Sequence, residues 1–323
     1  MHISNEDLLK QIEDLSLQLK DVRKELLQKN RHLHGETWKM IRNNRARVDV
    51  GTKNMLMQMY RERAANGEIL SFQDVAYSNY SQFGEDGVLE YIFALIGTTN
   101  KVVVEMCCGT ATECNATNLV INHNWGGLLF DGNENNIAQG KAFFNKLMTH
   151  YRHPRLILAW ITKSNINDLI KDNLVAGEID LYSLDIDGVD YWLLKSLEII
   201  TPRVIILEAH IWLGPDLEYT IPYNDDFVVG SREFEGSPIR MHAGASVRAF
   251  KNLCEKKGYR LVGKIGTLSP NVIFMKNGVG EKYFPAIEVE DIFNDYSSWC
   301  MDRYRRVREA SFENFEWVDL KNQ

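Results

Sequence analysis

Four short apolar runs in this chain end on a carboxylate: Lys101-Val-Val-Val-Glu105, Gly127-Leu-Leu-Phe-Asp131, Ile179-Asp-Leu-Tyr-Ser-Leu-Asp185 and Val204-Ile-Ile-Leu-Glu208. Acids at the ends of buried strands stand where open α/β sheets bind their ligands, beyond the carboxyl edge. After the first run comes Met106-Cys-Cys-Gly109, a tight turn into a helix in which Gly109 lets the backbone approach a ligand closely. It is not the full GxGxxG pattern, so a dinucleotide is not indicated. Asp131 follows Glu105 by 26 residues and can accept both hydroxyls of a ribose. The competing reading of Asp131 is a cap on the next helix. Two acids in register after successive strands favour a nucleoside ligand.

A second set follows. Asp185, Asp187 and Asp190 cluster after one run, and Glu208 and His210 end the next. Oxygen donors such as Asp187 and Glu208 suit Mg²⁺ or Mn²⁺, and His210 reads as a third ligand or as a general base. His242, in a loop, is a further base candidate. The plainer alternative makes Asp190 the cap of the helix Trp192-Leu-Leu-Lys-Ser-Leu197.

What must position these groups is a sheet. Together with Leu156–Trp160, Tyr259–Gly263 and Asn271–Met275, the apolar runs number seven, and helical stretches separate most of them. Continuous apolar strands alternating with helices predict an α/β fold with a mostly parallel, Rossmann-like sheet covered on both faces. We expect this domain over residues 72–280. A long insertion between Trp212 and Met241 falls after the fifth run, over the second set of acids; its Tyr219, Tyr223 and Phe227 could flank a ring or simply pack the loop. The segment 281–323 reads as helical, with Phe293, Trp299 and Tyr304 toward the domain and Arg303, Arg305, Arg306 and Arg308 facing solvent. At the other end, Leu8, Ile12, Leu15, Leu19, Val22 and Leu26 alternate in steps of four and three, so residues 1–30 form a coiled coil or an amphipathic helix. Residues 31–71 are read as a helical linker. A coiled coil there implies a homo-oligomer.

Composition narrows the class. A formal net charge of -7 argues against nucleic acid as the partner. No apolar stretch is long enough to span a bilayer, and the N-terminus lacks the layout of a signal peptide, so a cytoplasmic protein is expected. The five cysteines are odd in number, three of them crowd one loop, and no second CxxC completes a zinc site. They are read as reduced, small apolar residues without chemistry.

The segment Tyr80-Ser-Gln-Phe-Gly-Glu-Asp-Gly87 resembles the SQ-x-GED stretch of FkbM-like methyltransferases. The run Leu184-Asp-Ile-Asp-Gly-Val-Asp-Tyr-Trp192 and the strand Pro202-Arg-Val-Ile-Ile-Leu-Glu-Ala-His210 are similar to two further motifs of that family. The similarity spans roughly residues 77–276, with its motifs in the family's order. It implies a class I fold of seven strands and S-adenosylmethionine as cofactor. By position it places Glu105 at the methionine end, Gly109 in the turn, Asp131 on the ribose and Thr162 near the adenine. Gln82, Asn133 and Asp185 complete the expected cofactor site, Asp185 toward the sulfonium. The chain departs from the family at Cys107-Cys108, where a glycine-rich turn is usual.

The resemblance directs the chemistry to methyl transfer. That reaction is an in-line displacement, and an alcohol acceptor needs activation either by a base such as His210 or His242 or by a divalent metal held on Asp187, Glu208 and His210. The expected function is O-methylation of a small molecule, above all a nucleotide-linked sugar in capsule, surface-glycan or natural-product synthesis. N- or C-methylation on the same fold and a non-catalytic nucleoside-binding scaffold are the alternatives. Repeated acids and an imidazole at strand ends speak against the scaffold.

Overall fold

A computed structural model describes residues 22, 29, 50–147, 152–230, 232–234, 237–239, 242–266 and 270–322. The heptad segment expected over residues 1–30 and the first part of the helical linker therefore lie outside the described residues, apart from Val22 and Lys29. Residues 47–323 form one compact unit.

Helix α1 spans Val50–Ala65, α2 Phe72–Val75 and α3 Glu85–Ile96. Strand β1 (Val102–Met106) is followed by α4 (Asn115–His123), β2 (Gly126–Asp131), α5 (Glu134–Leu147) and β3 (Arg155–Leu158). Then come α6 (Ile166–Asp172), β4 (Gly177–Leu184), α7 (Asp190–Ser196) and β5 (Ile200–Glu208). The insertion contributes three short strands, β6 (Tyr219–Thr220), β7 (Arg232–Phe234) and β8 (Ser237–Ile239). Helix α8 (Val247–Lys256) leads to β9 (Tyr259–Ile265) and β10 (Asn271–Lys276), and the chain ends with α9 (Ser298–Asn314) and β11 (Val318–Asp319).

Seven strands form one sheet in the order β3-β2-β1-β4-β5-β10-β9, with β10 alone reversed. This is the class I methyltransferase arrangement, and each of the seven apolar runs supplies one of its strands. Alternation along the strands explains why the runs are apolar throughout. Val103, Leu129, Leu181, Val204 and Ile273 face α1, α3, α4 and α5, while Val104, Phe130, Tyr182, Ile205 and Phe274 face α6, α7, α8 and α9. Burial on both faces leaves polar side chains room at the strand ends.

The C-terminal helix departs from expectation at two residues, Trp299 and Arg308. Phe293 and Tyr304 are buried, but Trp299 lies in the first turn of α9 with 69% of its surface exposed. Arg305 and Arg306 pair with Asp302, and Arg305 also with Glu309, along the exposed face; Arg308 instead reaches the Leu213 carbonyl at 3.0 Å. Among the described residues, no helix is long and apolar enough to cross a membrane.

Candidate active site

The segment ahead of β1 is built by the residues of its own motif. Asp86 is fully buried, and its Oδ2 accepts the backbone N–H groups of Asn79, Tyr80 and Ser81 at 2.6, 2.5 and 2.9 Å. The Ser81 hydroxyl in turn accepts from the Asp86 N–H at 3.0 Å. Glu85 accepts from the Phe83 N–H at 2.8 Å, and Gly87 is required because a Cβ there would stand 2.0 Å from the Val75 carbonyl. Ser81, Glu85 and Asp86 are thus structural, while Gln82 is exposed at the tip. The Tyr80 carbonyl accepts from the Cys114 N–H at 2.9 Å, which ties this tip to the start of α4 beside the β1 turn.

That turn has an unusual backbone. Cys107, Gly109 and Ala111 all have positive φ, at 66°, 55° and 59°. Only the middle one is glycine, the residue for which the left-handed region carries no penalty. The loop therefore keeps a glycine-type path with a thiol and a methyl group on it. Water reaches Cys107 from the cleft side, yet the protein packed around the thiol, followed by the charges of Asp131, Asp185, Asp190 and Glu105, pushes its pKa up to about 12. It is a neutral wall of the cleft and not a nucleophile. Replacing Cys107 with glycine is expected to stabilise the fold by about 0.5–1 kcal/mol, the released strain exceeding the added freedom of the unfolded chain. Thermal unfolding measures this, and a lower Tm in the variant would show that thiol contacts outweigh the strain.

Glu105 is fully engaged. Its two carboxylate oxygens accept the N–H groups of Asn115 and Ala116 at 2.9 and 2.7 Å, capping the first turn of α4. Burial raises its pKa to about 7 against those two bonds, with Asp185 adding to the rise. Asp131, 3% exposed, accepts from the Gly109 N–H at 2.9 Å, the Asn133 N–H at 2.8 Å and the Asn136 amide at 3.0 Å. Asn133 itself caps α5, accepting from the N–H groups of Asn135 and Asn136.

An apolar cleft opens beyond these strand ends, lined among others by Cys107, Asp131, Trp160, Ile161, Val189 and Phe227. Thr162 is not among its lining residues: β3 stops at Leu158, Ala159–Ile161 take the cleft side, and the Thr162 N–H is held by Asn165 at 2.8 Å. Trp160 carried no signal of a ligand role in the sequence, whereas Phe227 is one of the insertion aromatics expected either to flank a ring or to pack the loop, and it lines the cleft. Trp160 donates its indole N–H to the Asp225 carbonyl at 2.7 Å, and Phe227 sits against Gly188, where a Cβ would stand 2.7 Å from its ring. Of the other insertion aromatics, the Tyr223 hydroxyl accepts from the Lys163 N–H at 2.9 Å and Tyr219 packs on Phe312.

The second set of acids converges. Asp185, Asp187 and Glu208 each offer a carboxylate oxygen, and these lie within 4.8 Å of one another. Asp187 reaches the group through a left-handed backbone, φ 54°. Asp190 holds that turn by accepting the flanking N–H groups of Ile186 and Gly188 at 2.8 and 2.9 Å, so it braces a loop as well as opening a helix. Glu208 is pushed well above the usual carboxylate range, first by burial and then by the charges of Asp185 and Asp190 and a hydrogen bond with Asp185. Asn271, opposite Glu208 in the β5–β10 register, donates its amide to Glu85 at 2.8 Å and so links this acid pair of strands to the segment ahead of β1.

Neither histidine is a member of that carboxylate group. His210 is 5% exposed, its ring packs 5.7 Å from that of Trp212, and burial lowers its pKa to about 4. His242 is half-buried among aromatic rings, and its Nε2 is 2.9 Å from the Glu316 carbonyl. Among the described residues, the five cysteines are all free.

No protein-family model matches the chain, and no curated protein does. Solved structures do. An S-adenosylmethionine-dependent methyltransferase from Clostridium acetobutylicum shares 13% identity at a TM-score of 0.37, covering 69% of this chain and 98% of that one. Magnesium protoporphyrin IX methyltransferase from Synechocystis, with bound S-adenosylhomocysteine, shares 12% identity at a TM-score of 0.38, covering 76% and 94%. A methyltransferase from Methanosarcina mazei shares 10% identity at a TM-score of 0.35, covering 54% and 92%.

Proposed function

We propose that this chain is an S-adenosylmethionine-dependent O-methyltransferase of the FkbM-like kind, acting on a hydroxyl of a nucleotide-linked sugar. The observation that carries the reading is the joint presence, at one edge of a class I sheet, of the cleft at Asp131 and the carboxylate group of Asp185, Asp187 and Glu208. A buried acid beside an apolar cleft suits a nucleoside: Asp131 accepts ribose hydroxyls, while Trp160, Ile161 and Phe227 offer flat and apolar walls to a purine. The cofactor supplies a methyl group on a sulfonium.

The second half of the reading concerns the acceptor. Three carboxylate oxygens within 4.8 Å of one another fit a hard divalent cation, Mg²⁺ or Mn²⁺, and raised protonation of Glu208 is what such a group does in the cation's place. A cation held by Asp185, Asp187 and Glu208 supplies Lewis acidity that makes a nearby hydroxyl more acidic. That chemistry serves an oxygen nucleophile, which supports O-methylation. The sugar assignment rests on the family resemblance.

Isothermal titration with S-adenosylhomocysteine tests the cofactor half, with saturable binding expected; absence of binding by folded protein would sink the enzyme reading. Nucleotide sugars screened with methyl-labelled cofactor then test the acceptor, with label transfer expected and lost on exhaustive chelation.

A further inference from the structure

The hydroxyl proton must leave in this reaction, and two imidazoles stand at the same edge of the sheet. Their surroundings differ. His210 is sealed: its ring lies against Gly244, where an added Cβ would stand 2.7 Å from Cδ2 and 2.9 Å from Nε2. It makes no hydrogen bond to another described residue through its side chain, and both Trp212 and Gly244 pack near the ring.

His242 is held open and oriented. Its loop is stitched to both acid-bearing turns: the Gly244 N–H donates to the Gly188 carbonyl at 2.7 Å, and the Ala245 carbonyl accepts from the His210 N–H at 3.0 Å. The imidazole stacks on Phe315, centroids 4.7 Å apart and planes 4° from parallel, with Trp317 edge-on at 5.4 Å. Phe227, a wall of the cleft, stands 6.0 Å from the ring. Because a carbonyl oxygen only accepts, the 2.9 Å contact with Glu316 requires Nε2 to carry the hydrogen. A neutral ring then presents its lone pair at Nδ1.

The groups that orient this ring come from the very end of the chain. Phe315, Glu316 and Trp317 follow α9, and the Trp317 indole N–H donates to the Ser311 hydroxyl at 3.1 Å. Beyond them β11 pairs with β6, Val318 opposite Thr220 and Asp319 opposite Tyr219, and the Leu320 N–H donates to the Glu218 carbonyl at 2.9 Å. The tail is therefore clamped to the insertion that follows β5. Of the residues packed on the ring, Phe227, Phe315 and Trp317 are uncharged, and Glu316 is the one charged group acting on it.

We propose that His242 takes the acceptor's proton through Nδ1, and that the tail Phe315–Glu316–Trp317 is the positioning segment that fixes its tautomer and plane; this rests on the methyltransferase reading above. In the step, the acceptor's O–H bond breaks and its proton passes to Nδ1. The oxygen's electron pair forms the new bond to the methyl carbon, and the methyl–sulfur pair returns to sulfur, leaving the thioether. The imidazolium then releases its proton to water at the exposed side of the ring.

Two variants and one spectrum test this. His242→Gln is expected to bind S-adenosylhomocysteine as the wild type does and to lose about 100-fold or more in kcat with little change in KM, the scale of a missing general base. Phe315→Leu is expected to keep cofactor affinity and lose roughly 10-fold in kcat, with its acid limb moved to higher pH as the ring gains water. Nitrogen-15 spectra of the wild-type protein should show His242 protonated at Nε2, and a mixture of tautomers in Phe315→Leu. Retention of kcat within about threefold in His242→Gln, or an Nδ1–H tautomer in the wild type, overturns the proposal. Wild-type protein that binds no S-adenosylhomocysteine overturns the underlying reading, an outcome visible before any variant is made.

Discussion

Asp131→Ala should remove measurable binding of S-adenosylhomocysteine, a loss of about 100-fold or more in affinity. Hydrogen bonds to an ionised acceptor contribute roughly 1.5–3 kcal/mol each, and a ribose offers two; each ~1.4 kcal/mol is a factor of ten. The same carboxylate also receives the N–H groups of Gly109 and Asn133 and the Asn136 amide, so alanine leaves three donors without their partner at the cleft. A fall of about 2 kcal/mol in stability is expected alongside. Asp131→Asn separates the two effects. It keeps the shape and one acceptor oxygen, so the fold should survive with a small drop in Tm while affinity still falls at least roughly 10-fold. Calorimetric titration and thermal unfolding of both variants decide it: near-wild-type affinity in a folded Asp131→Asn protein would mean that Asp131 only braces the turn.

That ambiguity is the same one the sequence presents, and it marks where local pattern stops. The strands were legible because each is buried on both faces and so reads as an uninterrupted apolar run, and the acids were legible because they end those runs. A carboxylate at a strand end, however, can serve a ligand or the next helix. Glu105, expected at the methionine end of the cofactor, has both oxygens on the first turn of α4, and only the path of the intervening loop determines this. The resemblance implies Thr162 near the adenine, just after a third run expected to reach Trp160; β3 ends at Leu158, which gives the cleft side to Trp160 and Ile161. Trp299 was expected to face the domain, but it occupies the exposed start of α9. Contacts across the chain had no local signal at all. Asn271 meets Glu85 across 186 residues, and Glu316 meets His242 across 74, through a backbone carbonyl that every residue possesses. The carboxylate group was partly readable: Asp187 and Glu208 were named for it, while Asp185 joins them in the fold and His210 is not a member. The left-handed turn at Asp187, held by Asp190, is what brings the oxygens together.

The crowding of those acids leads to the second large effect, in which stability and activity move in opposite directions. Glu208 is held above the usual carboxylate range, Glu105 at about 7, and Asp86 and Asp190 at about 6, in each case with burial as the largest cause. A carboxyl whose folded pKa exceeds its unfolded value contributes stability at low pH, and that contribution is lost as pH rises through the folded pKa. Asp180 opposes this at the acid side. Against the cost of its own burial, the Arg203 guanidinium and the N–H groups of Thr99, Asn100 and Lys101 hold its pKa down, so its contribution disappears as pH falls through its lowered folded value. The metal-free protein should therefore be most stable near pH 5 and lose Tm toward about pH 8. Glu208→Gln removes one of the crowded charges without changing shape. It should raise the metal-free Tm at about pH 8 and flatten the profile, while lowering kcat/KM by about 1000-fold, roughly 4 kcal/mol of lost transition-state stabilisation. Mg²⁺ or Mn²⁺ should raise the wild-type Tm at about pH 8 far more than at about pH 5, where protons already occupy the group, and should do neither in Glu208→Gln. Differential scanning fluorimetry across pH, with and without chelator, reads all three. A wild-type Tm indifferent to both cations at about pH 8 would remove the metal and leave His242 as the group that activates the acceptor.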